Sequence, residues 1–212
     1  MNKFRLSQLA PLTGFVAVTL LIVSLTMVGL NNYLPSVDSI VAFLDDNAAQ
    51  MGTWVYIGLL SAFLMVWFAG SMSSTIDTGE GDAGRLAQIT FGGGLATGIV
   101  MAITFAMTSA AADRAGSAAG ISREGATTLY DLRSSLTGAA LPFALALFAG
   151  AAGVAMIRSG KFPAWFGWLG VLAAVASLSP VGYLGQIGPM IWLAIASVWL
   201  FVRGLSTGAA NA

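Results

Sequence analysis

Residues 162–202 read FPAWFGWLGVLAAVASLSPVGYLGQIGPMIWLAIASVWLFV, a stretch without one Lys, Arg, Asp or Glu. About 20 apolar residues in helical form cross the hydrocarbon core of a bilayer, so this block has the length for two crossings. Pro180, Gly182, Gly185, Gly188 and Pro189 fall near its centre. A single helix through such a cluster would leave backbone groups bare in lipid. The pattern predicts a hairpin turning at the membrane surface, with a fifth span near residues 165–179 and a sixth near 187–202. The fifth is short and needs tilt, local thinning or neighbours around its end.

Four further charge-free blocks, 6–37, 47–76, 86–112 and 134–157, are each mostly apolar and long enough to span. They predict spans at about 12–34, 53–76, 89–111 and 129–157. The fold class is therefore all-α: one domain over residues 1–212, a polytopic bundle of six transmembrane helices. Composition agrees. Hydrophobic residues make up 57% of the chain and charged residues 8%, where soluble domains carry roughly 25%. Mean hydropathy is +0.84. The start Met1-Asn2-Lys3-Phe4-Arg5 is basic, as in a signal sequence, but no small-residue cleavage site closes the apolar run that follows. A retained first span is expected.

Orientation follows the distribution of Lys and Arg. With the N-terminus inside, the inner side collects Lys3, Arg5, Arg85, Arg158, Lys161 and Arg203, and the outer side Arg114, Arg123 and Arg133. The excess predicts N-in and, with six spans, C-in. In the first outer loop, Val37, Ile40, Val41 and Leu44 fall at helical spacing while Asp38, Asp45 and Asp46 face elsewhere. That is a short amphipathic helix, lying in the interface or capping the bundle. The second outer loop is small and polar, and Ser122 or Thr127 is expected to cap the fourth helix.

Two absences narrow the chemistry. There is no Cys, hence no disulfide, thiolate ligand or cysteine nucleophile, and no His, hence no imidazole metal site, Ser-His dyad or histidine proton shuttle. No metal or cofactor is expected. A formal net charge of zero gives no reason to expect nucleic acid as a partner. The carboxylates Asp77, Glu80 and Asp82 share one inner loop, but not at EF-hand spacing, and are expected to be a solvated turn. Met65, Met72, Met101 and Met107 are expected to fill gaps in an apolar core.

Two sets of residues remain as site candidates. Tyr130, Asp131 and Arg133 open the fourth span, and Asn31, Asn32, Trp54, Tyr183 and Gln186 lie at similar expected depth. Converging, they would form an outer vestibule, rimmed by aromatic rings, for a small ligand or lipid headgroup. Thr97, Thr104 and Thr108 share one helical face and would line a neutral polar path, unless their hydroxyls bond within the bundle. Small residues recur at four-residue spacing, Gly94/Gly98, Ala146/Gly150, Ala149/Gly153 and Gly170/Ala174. They suit close helix packing within the bundle or the face of a homo-oligomer or membrane complex.

Residues 130–132 (Tyr-Asp-Leu) and Arg158-Ser159-Gly160, followed by Pro163, Trp165 and Gly167, carry a family resemblance. The chain resembles an uncharacterised family of small bacterial integral membrane proteins with an Arg-Ser-Gly-x-x-Pro-x-Trp-x-Gly inner turn. The resemblance covers about half the chain. It implies six or seven spans and a bacterial cytoplasmic membrane, and no activity comes with it. Some members carry a His near the Tyr-Asp pair, which is absent here. The functional expectation is a non-enzymatic binding or accessory membrane protein in contact with the lipid bilayer. The alternatives are a transporter or channel for a neutral or lipophilic solute, and a membrane enzyme with an outer site around Asp131.

Overall fold

The structure, a computed structural model, describes residues 9–27, 36–76, 81–179 and 184–210. These form six helices and, among the described residues, no strand. They are α1 (Ala10–Met27), α2 (Val37–Ile76), α3 (Gly81–Ala115), α4 (Arg123–Ser159), α5 (Ala164–Ser177) and α6 (Leu184–Ala210). All but α5 are long and apolar enough to cross a membrane, which marks a multi-pass membrane protein.

Successive helices run antiparallel. Ser24 Oγ donates to the Trp54 carbonyl (2.6 Å) and Ser61 Oγ to that of Ala17 (2.6 Å), which ties α1 to α2. Ser73 Oγ donates to Ala87 O across the α2–α3 turn (2.8 Å). At the α6 end of the order, Ser197 Oγ accepts from Phe15 N–H (2.8 Å) and donates to Pro11 O (2.5 Å). The last helix thus returns to the first, and each helix packs on its neighbours in sequence.

Small side chains set how closely the helices approach. A Cβ on Gly93 would lie 2.6 Å from the Phe148 backbone nitrogen, and one on Gly153 would lie 2.5 Å from Gly167 O. Gly94 and Gly98 face Ala69 and Val66 of α2, Gly150 faces Ala174, and Gly170 faces Trp192. The small-residue faces expected from the sequence are therefore occupied by neighbouring helices of the same chain. Around them Phe68, Phe105, Phe148, Met65, Met72 and Met101 fill the core, each at most 2% exposed. Of the four methionines expected to fill gaps, Met65, Met72 and Met101 lie in this core, and Met107 is half-buried outside it.

Three features differ in detail from the sequence reading. The amphipathic segment of the first outer loop is helical, but it runs without a break into the second span as one 40-residue helix. No proline interrupts residues 47–53, Asn47 bonds back to Phe43 O (2.8 Å), and Gly52 costs only about 1 kcal/mol in a helix interior. The rod is about 60 Å long, twice a hydrocarbon core. Secondly, Ser122 caps α4 by accepting from Gly125 N–H (3.1 Å), while Thr127 lies inside the helix and bonds Arg123 O (2.9 Å). Thirdly, of the Pro/Gly cluster expected as a surface turn, Gly185, Gly188 and Pro189 already belong to α6, and residues 180–183 lie outside the described residues. A Cβ on Gly185 would meet Ala176 O at 2.9 Å, so α6 begins hard against the end of short α5.

Helix α4 contains one π turn, Leu136–Ala140, immediately before Pro142. A proline ring clashes with the carbonyl four residues back and offers no N–H, so the ladder must widen there. The Leu141 N–H bonds Leu136 O instead of Thr137 O. In π register the donor for Thr137 O would be residue 142, which is proline.

Candidate functional site

The long helices meet beyond the main core in a second, smaller one. Ile40, Leu44 and Met51 of α2 pack against Ala111 and Ala112 of α3 and Ala126 of α4, with Ile121, Leu129 and Tyr130 around them. Alanines on α3 and α4 let the three helix ends close over the leucine and isoleucine without bulk of their own. Asp38 pairs with Arg123 across the rim (2.6 Å), where both side chains are about 70% exposed. An exposed pair of this kind contributes at most about 1 kcal/mol, so the apolar seam holds this head together.

Tyr130 and Arg133 are three residues apart on α4 and therefore share a face. The guanidinium lies over the Tyr130 ring, 5.9 Å from its centroid. Both line a small cavity of about 20 Å³ with Phe43, Leu44, Met107 and Thr108. That is room for about one water molecule, so the space is a seam between helices. Thr108, expected on a polar path, and Tyr130 and Arg133, expected in a vestibule, thus belong to one place. Phe43 and Met107 also line it, and only the heptad-like run Val37–Leu44 hinted at the former.

The other candidates lie apart. Asp131 is exposed, off the face that Tyr130 and Arg133 share. Trp54 is half-buried between the two cores and its carbonyl receives the Ser24 hydroxyl. Gln186 is buried inside the bundle, where its Nε2 donates to Thr137 O (2.5 Å), the carbonyl displaced by the π turn. Ser177 Oγ donates to Pro142 O (3.0 Å) one turn away. Both bonds serve the backbone of α4. Asn31, Asn32 and Tyr183 lie outside the described residues.

Thr97 and Thr104 are buried with Thr108, and each of the three hydroxyls donates to the carbonyl four residues back, at 2.8, 2.8 and 3.0 Å. Hydroxyls so occupied have spent their donors within α3. Among the described residues no buried side-chain nitrogen or oxygen lacks a partner, and no group of three potential metal-ligating side chains occurs. The buried polar residues are Ser, Thr and Gln, and every described Asp, Glu, Lys or Arg side chain stays out of the buried interior.

At the opposite end, Lys161 Nζ donates to Thr75 O (3.2 Å) near the end of α2, and Arg203 donates to the Lys161 carbonyl. The Arg203 guanidinium lies over the rings of Phe162 (5.3 Å) and Trp199 (6.0 Å). Phe166 stacks on Trp192 at 5.4 Å, and the indole N–H of Trp192 donates to Phe166 O (3.0 Å). The Arg-Ser-Gly-x-x-Pro-x-Trp turn is thus held by cations and rings. Gly160 there has φ +63°, the left-handed conformation that ends α4.

No protein-family model, curated protein or solved structure matches the chain.

Proposed function

We propose that the chain is a non-enzymatic binding or accessory protein of a bacterial cytoplasmic membrane, crossing it six times with both termini inside and the α2–α3–α4 head outside. One observation carries the reading: the bundle interior is packed with apolar groups and self-bonded hydroxyls, while ionisable groups collect at its two ends. Ion- and proton-coupled devices hold carboxylates or bases at mid-membrane, and an enzyme needs a pocket reaching its reactive groups. Asp131, the acid an outer-face enzyme would use, is exposed and turned from Tyr130 and Arg133.

The charge distribution supports the direction. By chain position the head carries Asp38, Asp45, Asp46, Asp113, Glu124 and Asp131 against Arg114, Arg123 and Arg133. The other end carries Lys3, Arg5, Arg85, Arg158, Lys161 and Arg203 against Asp77, Glu80 and Asp82. An excess of Lys and Arg marks the cytoplasmic side. A second reading, passage of a neutral or lipophilic solute, is favoured by one contact only, Thr108 opening into the cavity beneath Tyr130 and Arg133. A partner or a second copy would meet the head or the lipid-facing side chains, because the small-residue faces are filled within the chain.

The absence of cysteine makes the topology directly measurable. In intact cells an impermeant maleimide should label Ala49→Cys and Ala118→Cys but not Ala164→Cys, which should react only after lysis. Labelling of Ala164→Cys in intact cells would overturn the orientation. For the role, photocrosslinkers at Asp45 and Leu132 in native membranes should give a discrete protein adduct. Lipid adducts alone, together with solute flux in proteoliposomes lost on Thr108→Leu, would replace the accessory reading with transport.

A further inference from the structure

A lateral groove of about 430 Å³ opens between α1 and α6, lined by Phe15, Ile195, Val198, Trp199, Val202 and Arg203. Phe15, Ile195 and Val202 are each about half exposed, so the groove faces the surroundings of the bundle. Its spacing is set by Ser197, which bonds both Pro11 O and Phe15 N–H and holds α1 at a fixed distance from α6. Apart from Arg203, the lining is apolar.

We infer that this groove holds one anionic phospholipid, with an acyl chain along Phe15, Ile195 and Val198 and the phosphate at Arg203. In a bilayer, any acyl chain satisfies the apolar walls. The cation at the mouth is what selects a headgroup. Arg203 is positioned by the Phe162 and Trp199 rings and by the Lys161 carbonyl, so little side-chain freedom is lost on binding. A guanidinium offers five N–H donors in a planar fork that matches phosphate oxygens. By chain position this end carries six Lys and Arg against three Asp and Glu, which complements an anionic headgroup. Trp199 in the wall and exposed Trp165 beside it (ring centroids 5.9 Å apart) suit headgroup depth.

The inference rests on the membrane crossing and not on the accessory role. Native mass spectrometry of the full chain, mixed with equal phosphatidylglycerol and phosphatidylcholine of matched acyl chains, tests it. The wild type should retain the anionic lipid about fivefold over the zwitterionic one, the effect of one cationic side chain at such a surface. Arg203→Gln should bring the ratio near unity, and Arg203→Lys, the substitute if the glutamine variant does not fold, should lower it by loss of bidentate contact. Ala194→Phe, which fills the groove, should reduce retention of both lipids, and Arg114→Gln at the other end should change nothing. An unchanged ratio in the folded Arg203 variant, or an equal loss in Arg114→Gln, would overturn the site. So would efficient disulfide formation between two copies of Val198→Cys in membranes, since a second protomer would then occupy the groove. None of these results bears on the maleimide topology, so the two readings fail separately.

Discussion

The main bundle and the head solve one packing problem with different materials. In the bundle, helices touch through glycine, with backbone against backbone at Gly93–Phe148 and Gly153–Gly167, and large Phe and Met side chains fill the space between contacts. In the head, Ile40, Leu44 and Met51 meet a floor of alanines. The difference follows from the solvent. Lipid tails do not drive apolar groups together, so association in the membrane relies on close contact and internally satisfied polar groups. In the proposed topology the head stands beyond the bilayer, where water does the driving and an ordinary apolar stripe suffices.

Three substitutions probe that contrast. The largest effect is expected for Gly153→Leu, because the atoms it meets are the Gly167 carbonyl and the backbone of α5, which cannot swing aside. A loss of about 3 kcal/mol or more should appear in denaturant titration of helicity in detergent. If Gly153→Leu behaved like the wild type, glycine contact would not hold α4 to α5. Leu44→Ala comes next, at about 2–3 kcal/mol. Its effect should be confined to the head, read as faster amide exchange at residues 37–51 and 111–130 with the bundle amides unmoved. Loss of protection throughout the bundle would mean that the head and bundle fold as one unit.

The smallest effect is the most specific. Gln186→Leu leaves the Thr137 carbonyl without its amide donor inside the bundle, at a cost of about 1–2 kcal/mol. Pro142→Ala restores the N–H that the π turn lacks, so it should recover most of that loss in the double variant. Additive losses in the double-mutant cycle would show that Gln186 and Pro142 act independently.

The helices were legible because charge patterning is coarse and lipid is unforgiving. The blocks that lack Lys, Arg, Asp and Glu locate the apolar part of each helix, but α2 starts 16 residues before its expected span, α3 starts eight before, and α6 ends eight after. The continuity of α2 was not legible, because a polar stretch such as Asn47–Thr53 reads as a loop when length alone is considered. Only the covering helices make it worthwhile as a rod. The sequence places Gln186 at the depth of an outer vestibule, but its partner is a carbonyl orphaned by a proline 44 positions earlier in the chain, which no local pattern displays. Tyr130 and Arg133 could have been separated from Asp131 by helical spacing alone. Their company with Thr108 depends on how α3 and α4 pack.

The unbroken α2 serves as a common beam. Its first half is held by α3 and α4 in the head, and its second by α1, through the Ser24–Trp54 and Ser61–Ala17 bonds, and by α3 at Val66 and Ala69. With no break in the helix between them, the position of the head is fixed relative to the far end, where Lys161 donates to the Thr75 carbonyl.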